Sequence, residues 1–255
     1  MPQVLKEKTK RADIFGYPVD ITGRESAVRF VMENMRSRQG MQIVTINPEM
    51  IFAADKNPEL ANILREAELV TPDSTGVMLA IASLGIQEAE KVPGVDFSEE
   101  LMQKCREAGF SVAFLGGSPD TIDSMKPEIQ KKFPGLNIVF SHHGYFTDSE
   151  FPEIKEELLR VNPHLLFVAL GSPKQEFFIK NHRDVLNKTV MIGVGGSFDI
   201  WAKKVKRAPL VYRIMGLEWF YRLITQPARF TRMFPVLPMF FLRILFDRKN
   251  LSKKF

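Results

Sequence analysis

The chain of 255 residues is 45% hydrophobic and 25% charged, ordinary values for a soluble globular protein, and its length fits one large α/β domain with an appendage or two small lobes. A single cysteine, Cys105, excludes an internal disulfide framework and suits a reducing cytoplasm; its place in an apparent helix from Asp96 to Ala108 reads as packing rather than nucleophile. The net charge of +5 hides an asymmetry: residues 203–255 carry 13 Lys/Arg against two acids, while residues 1–202 carry 22 Lys/Arg against 28 Asp/Glu. A cationic tail on an acidic body points to a polyanionic partner, either nucleic acid or an anionic membrane surface.

In chain order, residues 1–11 are basic without an apolar core, so no signal peptide is expected. Residues 12–22 read as short strands around a Gly16-Tyr17-Pro18 turn. Ala27, Val28, Val31, Met32 and Met35 share one face of a helix predicted over 24–38. Apolar strand candidates recur at 42–46, 68–71, 111–115, 136–141, 165–170 and 189–194. Helical stretches lie among them at 49–66, 75–84, 96–108, 119–132, 149–161 and 173–186. This alternation predicts a Rossmann-like, wound, mainly parallel α/β sheet with helices on both faces.

The pattern changes near Trp201. Strands are expected to stop there, dividing the chain into an α/β core over 1–200 and a helical, basic appendage over 201–255. A helix is predicted from Leu210 to Gln226, closed by Pro227. The stretch from Met233 to Phe246 is almost wholly apolar, yet Pro235, Pro238 and Arg243 interrupt it. It is too short for a membrane span of about 20 residues. Flanked by Lys and Arg, it reads as a segment lying in the membrane interface, the alternative being packing on the body or in an oligomer contact. The apolar run Met239 to Leu242 suits lipid better than phosphodiester, so no nucleic acid is expected.

Three glycine-bearing turns follow strands: Gly116-Gly117-Ser118-Pro119, Gly171-Ser172-Pro173 and Gly193-Val194-Gly195-Gly196-Ser197. Such turns let the backbone approach a ligand, and three on one sheet edge indicate a nucleotide-type ligand. None has P-loop spacing or the full dinucleotide fingerprint that a Rossmann oxidoreductase requires. In Gly171-Ser172-Pro173-Lys174-Gln175-Glu176, Ser172 is a candidate N-cap and Pro173 a first helical residue. Lys174 in that first turn opposes the helix dipole, which makes sense if an anion docks there. Thr45-Ile46-Asn47-Pro48-Glu49 and Thr71-Pro72-Asp73-Ser74-Thr75-Gly76 also leave strands into helices, so both reach the same edge. Asp73 is a candidate general base, although Asp73 and Asn47 are equally suited to cap helices. The four histidines and Cys105 show no metal-ligand spacing, and no Ser-His-Asp arrangement stands out.

Together the motifs resemble the WecG/TagA/CpsF glycosyltransferases. The likeness rests on Thr45-Ile-Asn-Pro-Glu49, Thr71-Pro-Asp73, Val92-Pro-Gly-Val-Asp96, Phe114-Leu-Gly-Gly117, His143-Gly-Tyr-Phe146, Gly171-Ser-Pro-Lys-Gln-Glu176, Gly193-Val-Gly-Gly-Ser-Phe-Asp199, Arg207-Ala-Pro209 and Gly216-Leu-Glu-Trp219, in the family's order from Ile14 to Arg232. The resemblance implies transfer of a sugar from a UDP-sugar to a polyprenyl-diphosphate-linked acceptor by a peripheral enzyme on the cytoplasmic face of the membrane. For the best-understood members this is N-acetylmannosamine passed with inversion to undecaprenyl-diphospho-N-acetylglucosamine, in wall teichoic acid synthesis. Relatives using N-acetylmannosamine uronic acid or glucose keep the donor open, a non-catalytic nucleotide-binding membrane protein is the reading from another class, and self-assembly into a homo-oligomer is left open.

Carried over by residue, the resemblance implies Asp73 as catalytic base, Thr45, Asn47 and Gln175 around the reacting sugars, and Arg222, Arg229 and Arg232 toward the acceptor diphosphate. Tyr145 and Asp199 are implied at the nucleotide, beside the glycine turns Gly116, Gly117 and Gly196. Lys91 stands where many members have Arg, which keeps the charge but loses the planar fork. Lys203 replaces a usual glycine, so a different local turn is expected. No cofactor is implied, and with no Asp-X-Asp pair at the strand ends the transfer is expected to be metal-independent.

Overall fold

The computed structural model describes residues 10–225 and 230–254, and the chain enters through a hairpin of β1 (Arg11–Ile14) and β2 (Tyr17–Asp20). Its loop is Phe15-Gly16, both at positive φ (57° and 92°), which suits a two-residue turn matched to strand twist. The expected Gly-Tyr-Pro turn is therefore displaced: Tyr17 and Pro18 open β2, an edge strand where a proline's missing N–H is tolerated.

The alternating pattern then follows as α1 (Arg24–Arg36), β3 (Met41–Ile46), α2 (Pro48–Asp55), α3 (Pro58–Glu66), β4 (Leu69–Pro72), α4 (Thr75–Ser83), α5 (Gly94–Ala108) and β5 (Ser111–Gly116). It continues with α6 (Pro119–Lys132), β6 (Asn137–His142), α7 (Phe151–Val161), β7 (Leu165–Ala169), α8 (Lys174–His182), β8 (Val190–Gly193) and α9 (Ser197–Trp201). Six strands pair in parallel in the order β4-β3-β8-β7-β5-β6. The wound α/β expectation is met. One expected helix, 49–66, is two, because Asn57 caps a fresh start at Pro58 by accepting from the Glu59 and Leu60 N–H groups.

Strand residues alternate between two apolar layers. Ile43, Phe114, Phe167 and Ile192 face α1, α5, α6 and α9. Val44, Ile46 and Val70 face α2, α3 and α4, while Leu115, Leu166, Val168 and Met191 meet α7 and α8 on that same side. Burial of Cys105 pushes its thiol up to about 12, consistent with a packing role. The exposed edge of β4 is covered by the hairpin, where the buried Asp20 carboxylate accepts from the Val70 N–H at 2.8 Å and pairs with Arg11.

Beyond Trp201 come α10 (Leu210–Ile214), α11 (Glu218–Thr225) and α12 (Phe230–Phe246), then a 3-10 turn and β9 (Leu251–Lys254). The single helix expected over 210–226 is broken, as the chain turns at Gly216 with φ 71° and the Thr75 hydroxyl donates to the Gly216 carbonyl at 3.0 Å. Strands also do not stop at Trp201: β9 pairs antiparallel with β1 and extends the hairpin into a three-stranded sheet. Pro235 and Pro238 lie inside α12, which runs through both. Phe240 and Ile244 of that helix are buried in the layer containing α2 and α4, with Phe240 edge-on to Phe15 at 5.4 Å between centroids. Arg243 lies over the Phe15 ring and pairs with Asp55 at 2.5 Å.

Candidate active site

The strand order itself opens a crevice. β3 and β8 are neighbours, yet the chain leaves β3 into α2 on one face of the sheet and leaves β8 into α9 on the other. Adjacent strands whose connections diverge leave a gap at the carboxyl edge, where open α/β proteins hold ligands. A cleft of about 1000 Å³, taken out to its open mouth, lies there. Its walls carry Thr45, Asn47, Asp73, Lys91 and Gly196, so five of the predicted site residues converge. Gly216, Glu218, Trp219 and Leu237 bring the C-terminal segment over the same space.

The two candidates that also suit helix capping resolve differently. Asn47 does cap α2, its Oδ1 accepting from the Met50 N–H at 3.1 Å, while the residue still lines the cleft. Asp73 does not cap the helix that follows it, since Ser74 holds that position and accepts from the Val77 N–H. Instead the Asp73 Oδ1 accepts from the Gly94 N–H at 2.7 Å, at the first residue of the 15-residue α5. This contact comes from an element 21 positions away and depends on α5 beginning at Gly94 rather than at the expected residue 96. The Val-Pro-Gly motif was its only trace in the sequence.

The N-termini of α2, α4 and α5 all reach the cleft, through Pro48 and Glu49, Thr75 and Gly76, and Gly94 and Val95. Their dipoles, with Lys91, make the cleft a place for a phosphate-bearing ligand. Behind α5, Asp96 pairs with Arg207 at 2.5 Å. Burial acts to raise the Asp96 carboxyl, but the Arg207 guanidinium outweighs it and holds Asp96 below its ordinary value. That pair ties the start of the C-terminal segment to the helix whose first N–H holds Asp73.

Of the remaining predicted residues, those that the structure describes lie outside the cleft wall. Gln175 is 5% exposed and sits behind the rim, its Oε1 accepting from the Gly195 N–H at 3.0 Å. Ser172 is not the cap of α8; Pro173 occupies that position after a cis Ser172–Pro173 peptide, and its carbonyl accepts from Phe177. Gly116, Gly117, Tyr145 and Asp199 extend the same sheet edge toward β6. Gly116, at φ 131°, has its Cα so near the Ala169 carbonyl that a Cβ would lie 2.4 Å from that oxygen, and only glycine fits. The Gly117 carbonyl accepts from Gly144, and Asp199 accepts from the Thr121 hydroxyl at 3.1 Å. Tyr145 is 75% exposed. Arg229 and the side chains of Arg222 and Arg232 lie outside the described residues. Lys203 takes φ 58°, so the glycine-type turn persists with a lysine in it.

One further surface bears on function. Leu210, Val211, Ile214 and Met215 of the α10 region, Ile224 of α11, and Met239, Phe241, Leu242 and Phe246 of α12 are exposed. No described helix is long and apolar enough to cross a membrane. Among the described residues no three His, Cys, Asp or Glu side chains gather as a metal site.

Residues 12–254 match the sequence family described as Glycosyl transferase WecG/TagA/CpsF family. Among characterised proteins, the chain is 36% identical over 198 residues to an N-acetylglucosaminyldiphosphoundecaprenol N-acetyl-beta-D-mannosaminyltransferase of Bacillus spizizenii, covering 78% of this chain and 76% of that one. It is 35% identical over 211 residues to the protein of that name from Bacillus subtilis, covering 83% and 81%. It is 29% identical to the Staphylococcus aureus protein of that name over 254 residues, 97% of each chain. A match running from β1 into β9, over a cleft built from the family's own strand-end motifs, establishes that this chain belongs to the WecG/TagA/CpsF glycosyltransferase family.

Proposed function

We infer that the protein transfers N-acetylmannosamine from UDP-N-acetylmannosamine to undecaprenyl-diphospho-N-acetylglucosamine, with inversion at the anomeric carbon. The observation that carries the reading is Asp73, a carboxylate fixed by α5 in a cleft where three helix N-termini meet. Asp73 takes the proton of the acceptor hydroxyl as its oxygen attacks C1 of the donor sugar. The bond from C1 to the diphosphate oxygen breaks, and UDP leaves with the bonding pair. Helix N-termini and Lys91, joined by Arg222, Arg229 and Arg232, meet the growing diphosphate charge without a metal. Gly116, Gly117, Gly196, Tyr145 and Asp199 take the nucleotide end. Thr45 and Asn47 flank the sugars, and Gln175 supports them from behind the rim.

The apolar faces of α10, α11 and α12, with the basic tail, lay the mouth of the cleft against the inner face of the membrane, where the lipid-linked acceptor resides. The test is UDP release with a panel of UDP-sugars and a short-lipid GlcNAc-diphosphate acceptor. Release is expected only with UDP-N-acetylmannosamine and acceptor together. Release with the uronic acid or glucose donor instead moves the activity to another surface polymer, and no release with any donor refutes the reading.

A further inference from the structure

The motif Gly171-Ser-Pro-Lys-Gln-Glu176 ends in a carboxylate that the proposed chemistry does not use. Glu176 lies in the first turn of α8 and is 3% exposed. Its Oε1 accepts from the Gln175 Nε2 at 2.8 Å, and the Ser172 side chain also bonds to the carboxyl. A carboxyl buried this deeply is costly, so a compensating role is to be sought.

The geometry supplies one. The Gln175 amide is held at both ends, Nε2 giving to Glu176 and Oε1 taking from the Gly195 N–H. Flipping the amide would set its NH2 against the Gly195 N–H, so that donor and the Glu176 acceptor oxygen together select one orientation. Gly195 lies between Val194 and Gly196, both on the cleft wall. Val194 is held through its main chain, by the Val168 carbonyl and by Ser197, whereas Gly195 is held by the Gln175 side chain. Gly193 completes the arrangement, since a Cβ there would lie 2.5 Å from the Gln175 Nε2.

We propose that Glu176 is a positioning residue, locking the Gln175 amide so that it holds Gly195 and with it the Val194–Gly196 rim of the cleft. What Glu176 supplies is an acceptor oxygen, not a charge. Burial pushes its carboxyl up, and the protonated form still offers a carbonyl oxygen to Gln175. The role rests on the transfer activity inferred above, but its test separates the two.

Three variants are compared in the full chain by steady-state transfer, thermal melting and amide exchange over residues 194–197. Glu176→Gln keeps an acceptor oxygen and should retain kcat/KM within about twofold. Glu176→Met fills the space without an acceptor. It should lower kcat/KM roughly tenfold, the scale of one lost hydrogen bond, with faster exchange at the rim and melting unchanged or raised. In a Gln175→Ala background, Glu176→Met should add no further loss, because the two side chains act in series. Additive losses, or a folded Glu176→Gln as impaired as Glu176→Met, would overturn the proposal. Wild-type protein that transfers no sugar refutes the activity instead, and rim exchange unchanged in Glu176→Met then refutes the positioning role separately.

Discussion

Replacing Asp73 by Asn tests the mechanism with little disturbance to the structure. The Asn Oδ1 can still accept the 2.7 Å bond from the Gly94 N–H, so the start of α5 and the cleft wall should stay in place. What disappears is the capacity to take a proton. Loss of a general base lowers turnover by roughly 10²–10⁴-fold, which is about 2.7–5.4 kcal/mol of transition-state stabilisation. The control is Asp73→Ala, which also strips Gly94 of its charged partner. A hydrogen bond to a charged group contributes about 1.5–3 kcal/mol, so this variant should melt about 3–12 °C lower, while the Asn variant stays near wild type. UDP release reports turnover, and calorimetric titration with UDP reports whether the nucleotide end is intact. Turnover within a few-fold of wild type in Asp73→Asn would remove Asp73 from the base role. Equal losses of UDP affinity and turnover would make it a binding group.

Truncation at Gly216 removes Phe240, Ile244 and Leu251 from the core along with β9, and at about 1.5–3 kcal/mol per buried side chain the shortened chain should melt at least about 10 °C lower. It should also lose liposome binding and transfer to a water-soluble acceptor analogue; full activity on that analogue would confine the tail to anchoring. Gly193→Ala should drive a Cβ against the Gln175 amide and cut kcat/KM roughly tenfold, and unchanged kinetics would mean the amide has room to move. Asp96, held below its ordinary value despite burial, contributes stability that is present above the unfolded carboxyl pKa of about 3.9 and is lost as pH falls through the lower folded value. Asp96→Asn should therefore lower the melting temperature at pH 7 and flatten its acid limb, and parallel curves for the two proteins would show that the pair with Arg207 is not linked to folding.

The sheet was legible because its strands are buried on both faces, and continuous apolar runs such as Leu165 to Leu170 need no partner to be recognised. The cleft was legible for a related reason: Thr45, Asn47 and Asp73 end neighbouring parallel strands, and parallel strands share one carboxyl edge. What escaped depends on contacts distant in sequence. Leu251-Ser-Lys-Lys254 has no apolar alternation and is a strand only because β1 offers an unpaired edge. Phe240 reads as lipid-facing in a run of apolar residues, until Phe15 and Phe52 supply a protein surface for it. The resemblance puts Gln175 near the sugars but says nothing of its amide, which is set by the Gly195 N–H 20 positions away as well as by Glu176.

The pairing of β1 with β9 sets an order of events during synthesis. Arg11 and Lys254 are register partners at opposite ends of the described chain, so β1 leaves the ribosome well before the strand it pairs with. Domains build from the N-terminus as they emerge, and contacts this far apart in sequence close late. The parallel sheet and the walls of the cleft can assemble while α12 is still unmade. During that interval the surface around Phe15 and Phe52 lacks the cover that Phe240 gives it. Pairing of Leu251–Lys254 with the hairpin fastens α12, which carries Phe240 into the core and Leu237 to the cleft.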